Sequence, residues 1–132
     1  MTPVGISGLK SDEGFRAHIY SDTVDVQTIG YGTNLKDGIT ELQATGLLEV
    51  TLSVNRAHLA GLSWFVNMTP ARQDVIENMC YNIGFNEVLR FTGMIAAIEA
   101  KNYQLAACDM LNSTWAKQVG HRAARLSSIM RG

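Results

Sequence analysis

The chain has 132 residues, which suffices for one domain with a sizeable core. Hydrophobic residues make up 46 % and charged residues 17 %, and there are only two prolines, so the composition excludes intrinsic disorder and the collagen-like and coiled-coil classes. Eleven basic and twelve acidic side chains give a net charge of −1, so a positive field for nucleic acid is missing and no nucleic-acid partner is expected.

The N-terminal third of the chain combines a short helix with a β segment. Residues 4–13 form a helical pattern that Ser7 or its neighbours open and that the following glycine ends. Residues 17–20 and 26–31 are β-prone and are joined by a polar turn, which predicts a hairpin. A second turn signal covers residues 34–38. The sequence predicts no other β segment.

The remainder of the chain is predicted to be helical. Thr40 and Gln43 form a capping box, and leucines recur after it at helical spacing, so a long helix is expected over about 40–61. Thr69 caps the next helix, with Pro70 at its first position. The predicted helices of this half cover about residues 70–83, 92–100, 103–112 and 121–130.

Together these elements predict a single α+β domain without internal repeats. A small N-terminal β lobe covers about 15–39, and a linking helix covers about 40–61. A larger all-helical lobe covers about 63–132 and includes the N-terminal helix. No large repeating apolar surface is evident, so a monomer is expected.

Cysteine and histidine usage indicates no metal site. Cys80 and Cys108 lie in apolar helical contexts and make no CxxC motif, so both are predicted to be buried free thiols. His18, His58 and His121 are scattered and share no ligand spacing. Neither a metal nor another cofactor is expected.

The N-terminal residues show no sign of a targeting segment. They have neither the basic region nor the apolar region of a secretory signal, and no window approaches the roughly 18 apolar residues of a spanning helix. A soluble cytoplasmic protein without stable membrane insertion is therefore expected.

Three polar residues near the N-terminus are candidates for catalysis. Glu13 stands at a helix end, Asp22 in the hairpin turn and Thr28 on the returning strand. Glycoside hydrolysis needs one carboxylic acid that donates a proton and one carboxylate that stabilises positive charge or orients water. The spacing alone also fits a helix-end glutamate, a turn aspartate and a strand threonine with purely structural roles.

The residues around these positions resemble a known family. The matching segments are Asp12-Glu13-Gly14-Phe15-Arg16, Ile19-Tyr20-Ser21-Asp22-Thr23 and Thr28-Ile29-Gly30-Tyr31-Gly32. They resemble the E-x8-D-x5-T signature of the T-even phage lysozymes, glycoside hydrolase family 24. The resemblance continues through Asn82-Ile83-Gly84, Phe91-Thr92, Trp115 and Arg122-Ala123, with a shortened stretch between Gly32 and Thr40.

This resemblance implies a two-lobed lysozyme-like fold and an endolysin that hydrolyses the β-1,4 bond between N-acetylmuramic acid and N-acetylglucosamine in bacterial peptidoglycan. Glu13 matches the general acid, Asp22 the second carboxylate, and Thr28 the hydroxyl that helps to hold the attacking water. Carboxyl groups about 6.5–9.5 Å apart admit that water and invert the anomeric carbon, which is the expected outcome. A separation of about 5 Å between the two carboxyl groups favours a covalent intermediate on Asp22 instead.

The resemblance extends to supporting residues. Arg122 matches an arginine that pairs with the catalytic glutamate. Tyr81 and Asp109 fall where the family contacts substrate, and Asn82 beside them is a plausible amide partner. Thr33 departs from the family, because many relatives carry a histidine there that makes a structural ion pair.

The resemblance also implies how the enzyme meets its substrate. It is made in the host cytoplasm and acts on the cell wall after release. Since the sequence carries no export signal, a separate phage protein that permeabilises the membrane is implied.

Two other classes stay open at this point. A lytic transglycosylase cleaves the same bond with Glu13 alone and leaves an anhydro sugar, but it needs no positioned water and hence neither Asp22 nor Thr28. A non-catalytic wall-binding or virion module needs none of the three residues, and fold alone does not exclude it. The sugar ends released from peptidoglycan discriminate among these classes.

Overall fold

A computed structural model of the chain describes residues 1–132. Its first helix, α1, spans Pro3–Glu13. Thr2 caps it, since its side-chain oxygen accepts a hydrogen bond from the Gly5 amide at 3.1 Å, and Pro3 occupies the first helical turn. The expectation that Ser7 or its neighbours open this helix was wrong, because the Thr-Pro pair begins it several residues earlier.

Three short antiparallel strands follow, in the order β1, β2, β3: Arg16–Ser21, Gln27–Gly30 and Thr33–Asn34. The predicted hairpin of β1 and β2 is confirmed. The strand β3 was not predicted, because two residues are too few to show alternation and they overlap a turn signal. On the central strand β2, Thr28 is paired with Tyr20 on one side and Asn34 on the other.

Eight more helices complete the chain. In order they are α2 Glu41–Leu59, α3 Ser63–Val66, α4 Pro70–Ile83, α5 Phe85–Val88, α6 Thr92–Glu99, α7 Tyr103–Leu111, α8 Thr114–Val119 and α9 His121–Arg131. The five predicted helices of this part are confirmed to within two residues at each end. The helices α3, α5 and α8 were missed, because four to six residues are too few to show helical periodicity.

The predicted caps of α2 and α4 are present. The Thr40 amide donates to Gln43 Oε1 at 2.9 Å, and the Gln43 amide donates to Thr40 Oγ1 at 3.1 Å, which completes the capping box. The Arg72 amide donates to Thr69 Oγ1 at 3.4 Å, ahead of Pro70 in the first turn of α4. These local bonds fix where the two helices begin.

The chain divides into two compact units, Met1–Gly46 and Leu47–Gly132, and the division falls inside α2. The first unit contains α1 and the sheet, and a single side chain in it, that of Thr28, is buried. The fold is thus α+β, as predicted; the lobe limits of 15–39 and 63–132 stay a prediction. No helix combines the length and the hydropathy that crossing a membrane requires.

The hydrophobic core lies entirely within the second unit. Its largest fully buried side chains come from seven helices, α2 to α7 and α9: Leu59, Phe65, Val75, Ile76, Met79, Cys80, Val88, Met94, Met110 and Met130. Cys80 is buried as predicted, whereas the prediction that Cys108 is buried was wrong. On α7 the core-facing positions are Ala106, Ala107 and Met110, so the helix turns the side chain of Cys108 to solvent.

Candidate active site

Glu13 ends α1 and lies against a glycine of the β2–β3 connection. A β-carbon added to Gly32 would come within 2.8 Å of Glu13 Oε2, and Gly32 has a φ of +84° that favours glycine. Gly14, with a φ of 73°, ends the helix directly after the glutamate, and its amide donates a hydrogen bond to the Lys10 carbonyl. The absence of a side chain at Gly32 therefore lets the carboxylate approach the backbone of the sheet.

Asp22 organises the turn between β1 and β2 with one of its two carboxylate oxygens. Oδ1 accepts hydrogen bonds from the amides of Val24 at 2.9 Å and Val26 at 2.8 Å. The backbone of Asp25 takes a positive φ of 61° within the same turn. Oδ2 makes no hydrogen bond within the chain, so it is free to accept one from water or a sugar hydroxyl.

Thr28 is buried on the central strand and is linked to Asp22 through the backbone of one residue, Val26. Its hydroxyl donates to the carbonyl of Val26 at 2.9 Å, while the amide of the same Val26 donates to Asp22. The hydroxyl proton of Thr28 is thereby used, and its oxygen keeps lone pairs that accept a hydrogen bond. The Val26 backbone fixes both predicted water-holding groups, although its apolar side chain gave no signal in the sequence.

In the second unit, Arg122 and Tyr81 line one cavity of about 310 Å³ together with Asn78 and residues of α2. Arg122 Nε donates to Asn78 Oδ1 at 2.9 Å, and Nη2 donates to the Asn78 carbonyl at 3.3 Å. Asn78 was not predicted; its place one helical turn before Tyr81 and Asn82 on α4 was the available signal. The pairing of Arg122 with Glu13 joins residues of different units and stays a prediction.

Asn82 and Asp109 lie apart from that cavity and make different contacts. Asn82 Oδ1 accepts a hydrogen bond of 2.7 Å from the indole Nε1 of Trp115. The Asp109 carboxylate lies against Gly93 in the first turn of α6, where a β-carbon would come within 2.9 Å of Oδ2. The positive end of a helix favours a carboxylate at that place. Both residues therefore have structural partners in addition to any role with substrate.

Two further features bear on the chemistry of the second unit. An open groove of about 610 Å³ runs past Trp115 and Phe91, whose rings meet edge to face at 6.3 Å. Burial, with a smaller contribution from the charge of Glu77, raises the pKa of the Cys80 thiol from 9.0 to about 11.

No three His, Cys, Asp or Glu side chains converge in an arrangement that would hold a metal ion.

The small sheet of this α+β fold carries a carboxylate and a buried hydroxyl that bond to the backbone of one residue, and a second carboxylate stands at a helix end. Two carboxyl groups are what a glycoside hydrolase of the lysozyme-like class requires. Residues 10–130 match the family model described as phage lysozyme. The match covers most of the chain, and the chain belongs to the phage lysozyme family. Its class is that of the lysozyme-like peptidoglycan hydrolases.

Individual relatives agree with the family match. The chain is 29 % identical to "Probable T4-type lysozyme 1" of Dictyostelium discoideum, across 92 % of this chain and 90 % of that protein. It is 27 % identical to "Probable T4-type lysozyme 2" of the same organism, across 92 % of this chain and 89 % of that protein. It is also 27 % identical to "Pre-baseplate central spike protein Gp5" of Enterobacteria phage T4, of which it spans 26 %.

Proposed function

We propose that this chain hydrolyses the β-1,4 bond between N-acetylmuramic acid and N-acetylglucosamine, with inversion at the anomeric carbon. The observation that carries the proposal is the backbone of Val26, whose amide holds Asp22 and whose carbonyl holds Thr28. A transglycosylase has no need for two groups that orient a water molecule. The arrangement therefore favours hydrolysis over anhydro-sugar formation.

In this mechanism Glu13 donates a proton to the leaving oxygen of the glycosidic bond. Asp22 Oδ2 accepts one hydrogen of the attacking water and takes its proton as the bond to carbon forms. Thr28 Oγ1 accepts the other hydrogen and so aims the oxygen lone pair at the anomeric carbon. Both acceptors are held by the backbone before substrate arrives, so little reorganisation is needed at the moment of reaction.

The remaining predicted residues act on binding and on the acid. Arg122, held by Asn78, is proposed to pair with Glu13. Tyr81, which is 46 % exposed, offers its ring and hydroxyl to a sugar. Asn82 has its amide nitrogen free after its oxygen binds Trp115, and Asp109 offers a carboxylate to sugar hydroxyls.

The first test is digestion of purified peptidoglycan by the native chain, by Glu13→Gln and by Asp12→Asn. The second variant is the matched control, because it neutralises the adjacent carboxylate on the same exposed helix end. We expect new reducing ends from the native chain and from Asp12→Asn, and none from Glu13→Gln. Anhydro ends would identify a transglycosylase, and no products from folded native chain would leave a binding module.

The second test follows the stereochemistry of the first product. Proton NMR during early digestion should show the α-anomer, because water attacks the face opposite the β-linked leaving group. Early β-anomer would mean retention, with a covalent intermediate on Asp22. Asp22→Asn should reduce the rate of hydrolysis more than Thr28→Ser does, since serine keeps the accepting oxygen.

The proposed biological setting rests on the family to which the chain belongs. We propose that the chain is a phage-type endolysin, made in the host cytoplasm and released to the wall by a separate membrane-permeabilising protein. The similarity to the spike protein Gp5 favours a second setting, in which the chain acts from a virion. Mass spectrometry of purified virions separates the two, since a free endolysin is absent from washed particles.

A further inference from the structure

The second unit has a small hollow whose polar groups have no partners within the chain. It measures about 220 Å³ and lies between α3 and the α6–α7 connection, with Trp64 and Tyr103 in its wall. Ser63, Asn67, Glu99 and Lys101 supply its polar lining, and none of their side chains makes a hydrogen bond or ion pair within the chain. We call this site the Trp64 hollow.

The two larger concavities differ from it in this respect. In the 610 Å³ groove the Trp115 indole donates to Asn82, and Glu87 is paired with Arg90 at 3.4 Å. In the 310 Å³ cavity Arg122 is bonded to Asn78, as described above. Their polar groups are largely satisfied by the protein, whereas those of the Trp64 hollow remain available to a ligand.

The wall of the hollow contains an unpartnered donor. Trp64 is only 9 % exposed, and its indole N–H donates to no group of the chain. The single fully buried polar side-chain atom without a partner is Asn55 Nδ2, so the Trp64 N–H is not fully enclosed. A tryptophan this deeply buried usually has a hydrogen-bond partner for its N–H, so solvent or a ligand must supply one here.

Lys101 occupies a position where glycine would be more stable. The Lys101 amide donates to Ile98 at 2.9 Å and the Asn102 amide donates to Ala97 at 2.8 Å, which is the Schellman ending of α6. Lys101 is the left-handed residue of this motif, with a φ of 56°. Glycine is favoured there because it has no β-carbon, so the lysine is kept at some cost in stability.

Glu99 and Lys101 place opposite charges on the rim of one hollow and do not neutralise each other, since neither takes part in an ion pair. A ligand that matches them carries one anionic and one cationic group. An amino-acid group with a free carboxylate and a free ammonium has that pattern. Ser63, Asn67 and the Trp64 indole offer further hydrogen bonds to such a ligand.

We propose that the Trp64 hollow binds a zwitterionic amino-acid group, with its carboxylate on Lys101 and its ammonium on Glu99. A diamino-acid residue of a peptidoglycan stem peptide presents such a group at its free end, as does a soluble amino acid. The assignment of the wall as the source rests on the proposed function. The binding chemistry does not, because it follows from the lining of the hollow.

The test is titration of the native chain, followed by the NMR signal of the Trp64 indole N–H. The probes are meso-diaminopimelic acid, its N,N′-diacetylated form, in which neither end keeps an ammonium, and a stem tetrapeptide that contains the diamino acid. We expect saturable shifts with a dissociation constant on the order of millimolar, because both charges are exposed to water. Blocking the ammonium by acetylation should weaken binding about fivefold or more.

Lys101→Gly is the decisive variant, since it removes the ammonium while relieving the backbone. It should raise the melting temperature and weaken binding about fivefold or more, so that loss of binding is separated from loss of folding. Lys101→Arg should bind like the native chain, and Lys117→Ala serves as control for a lysine outside the hollow. Unchanged affinity in Lys101→Gly, or no shift at all, would overturn the proposal.

The probes also distinguish the sources. Tighter binding of the tetrapeptide than of meso-diaminopimelic acid identifies the wall peptide, and the reverse order identifies a soluble amino acid. Because peptidoglycan digestion depends on Glu13, Asp22 and Thr28, a chain that hydrolyses without binding these probes disproves the hollow alone. A chain that binds the probes but releases no sugar disproves the proposed function alone.

Discussion

Replacing Gly32 by alanine tests whether the glutamate of the active site is held against the sheet. The substitution has two consequences, which have different origins. Alanine at a φ of +84° is strained whatever space surrounds it, and this should cost about 1–2 kcal/mol of folding free energy. The new methyl group also meets Glu13 Oε2 at 2.8 Å, and that atom is the end of a flexible side chain that can move.

The size of the effect on activity follows from that movement. Ordinary contacts begin at 3.4 Å, so the carboxylate oxygen must retreat from 2.8 Å by about 0.6 Å. A misplacement of about 1 Å costs on the order of a hundredfold in rate, so a loss of about ten- to a hundredfold in kcat is expected. The loss concerns positioning of the acid, and substrate affinity should change little.

Gly30→Ala is the matched control. Gly30 has a similar φ of +69°, yet a β-carbon there meets nothing within 4 Å. Both variants should lose similar stability in urea unfolding, whereas only Gly32→Ala should lose most of its activity against a peptidoglycan suspension. Equal activities in two folded variants would refute the inference that Gly32 sets the position of Glu13.

Four further predictions concern the second unit. Arg72→Ala should lower the free energy of unfolding by about 1–3 kcal/mol in urea titration. The reason is that the guanidinium stacks on the Tyr103 ring at 3.7 Å and donates to the last carbonyls of α9. A loss smaller than that of an exposed surface variant would contradict this prediction. The buried amide nitrogen of Asn55 has no hydrogen-bond partner, which costs about 1–3 kcal/mol of stability. Leucine has a similar size and removes this cost, so Asn55→Leu should raise the melting temperature. A lower melting temperature would oppose this reasoning. With a thiol reagent at pH 8, the native chain should react at Cys108 alone and the unfolded chain also at Cys80. Because the pKa of Cys80 rises to about 11 on folding from 9.0, stability is unaffected below pH 9 and falls between pH 9 and 11 by about 1.4 kcal/mol per unit; a Cys80→Ala chain should lack this part of the fall.

The long helices and the hairpin were predictable because their signals are local. The Thr40–Gln43 capping box and the Thr69-Pro70 pair lie next to the helix starts that they determine, and both were confirmed as hydrogen bonds or caps. The short helices and β3 were not predictable, because their conformation is decided by packing and strand pairing rather than by periodicity. Cys108 shows the same limit, since an apolar neighbourhood in sequence does not say which face of α7 a residue occupies.

The candidate catalytic residues were recognisable for a related reason. Glu13, Asp22 and Thr28 lie within sixteen consecutive residues of one compact unit, where turns and glycines fix the geometry at short range. The partners of the supporting residues come from distant helices: Asn78 meets Arg122 across 44 positions, and Trp115 meets Asn82 across 33. Helical spacing on α4 places Asn78 beside Tyr81 and Asn82, but nothing in a single sequence says which distant residue each of these side chains contacts.

The distribution of burial suggests how stability and chemistry are divided in this chain. All nineteen buried apolar residues lie between Leu59 and Met130, while the unit that carries Glu13, Asp22 and Thr28 buries one side chain. Since apolar burial is the dominant favourable term in folding, the geometry of this first unit depends on directional backbone contacts instead. The hydrogen bonds of the Asp22 turn, the hydrogen bond from Thr28 to the Val26 carbonyl and the close approach of Glu13 to Gly32 are such contacts. Substitutions at these few positions should therefore alter catalysis with little effect on the core, and core substitutions should do the reverse.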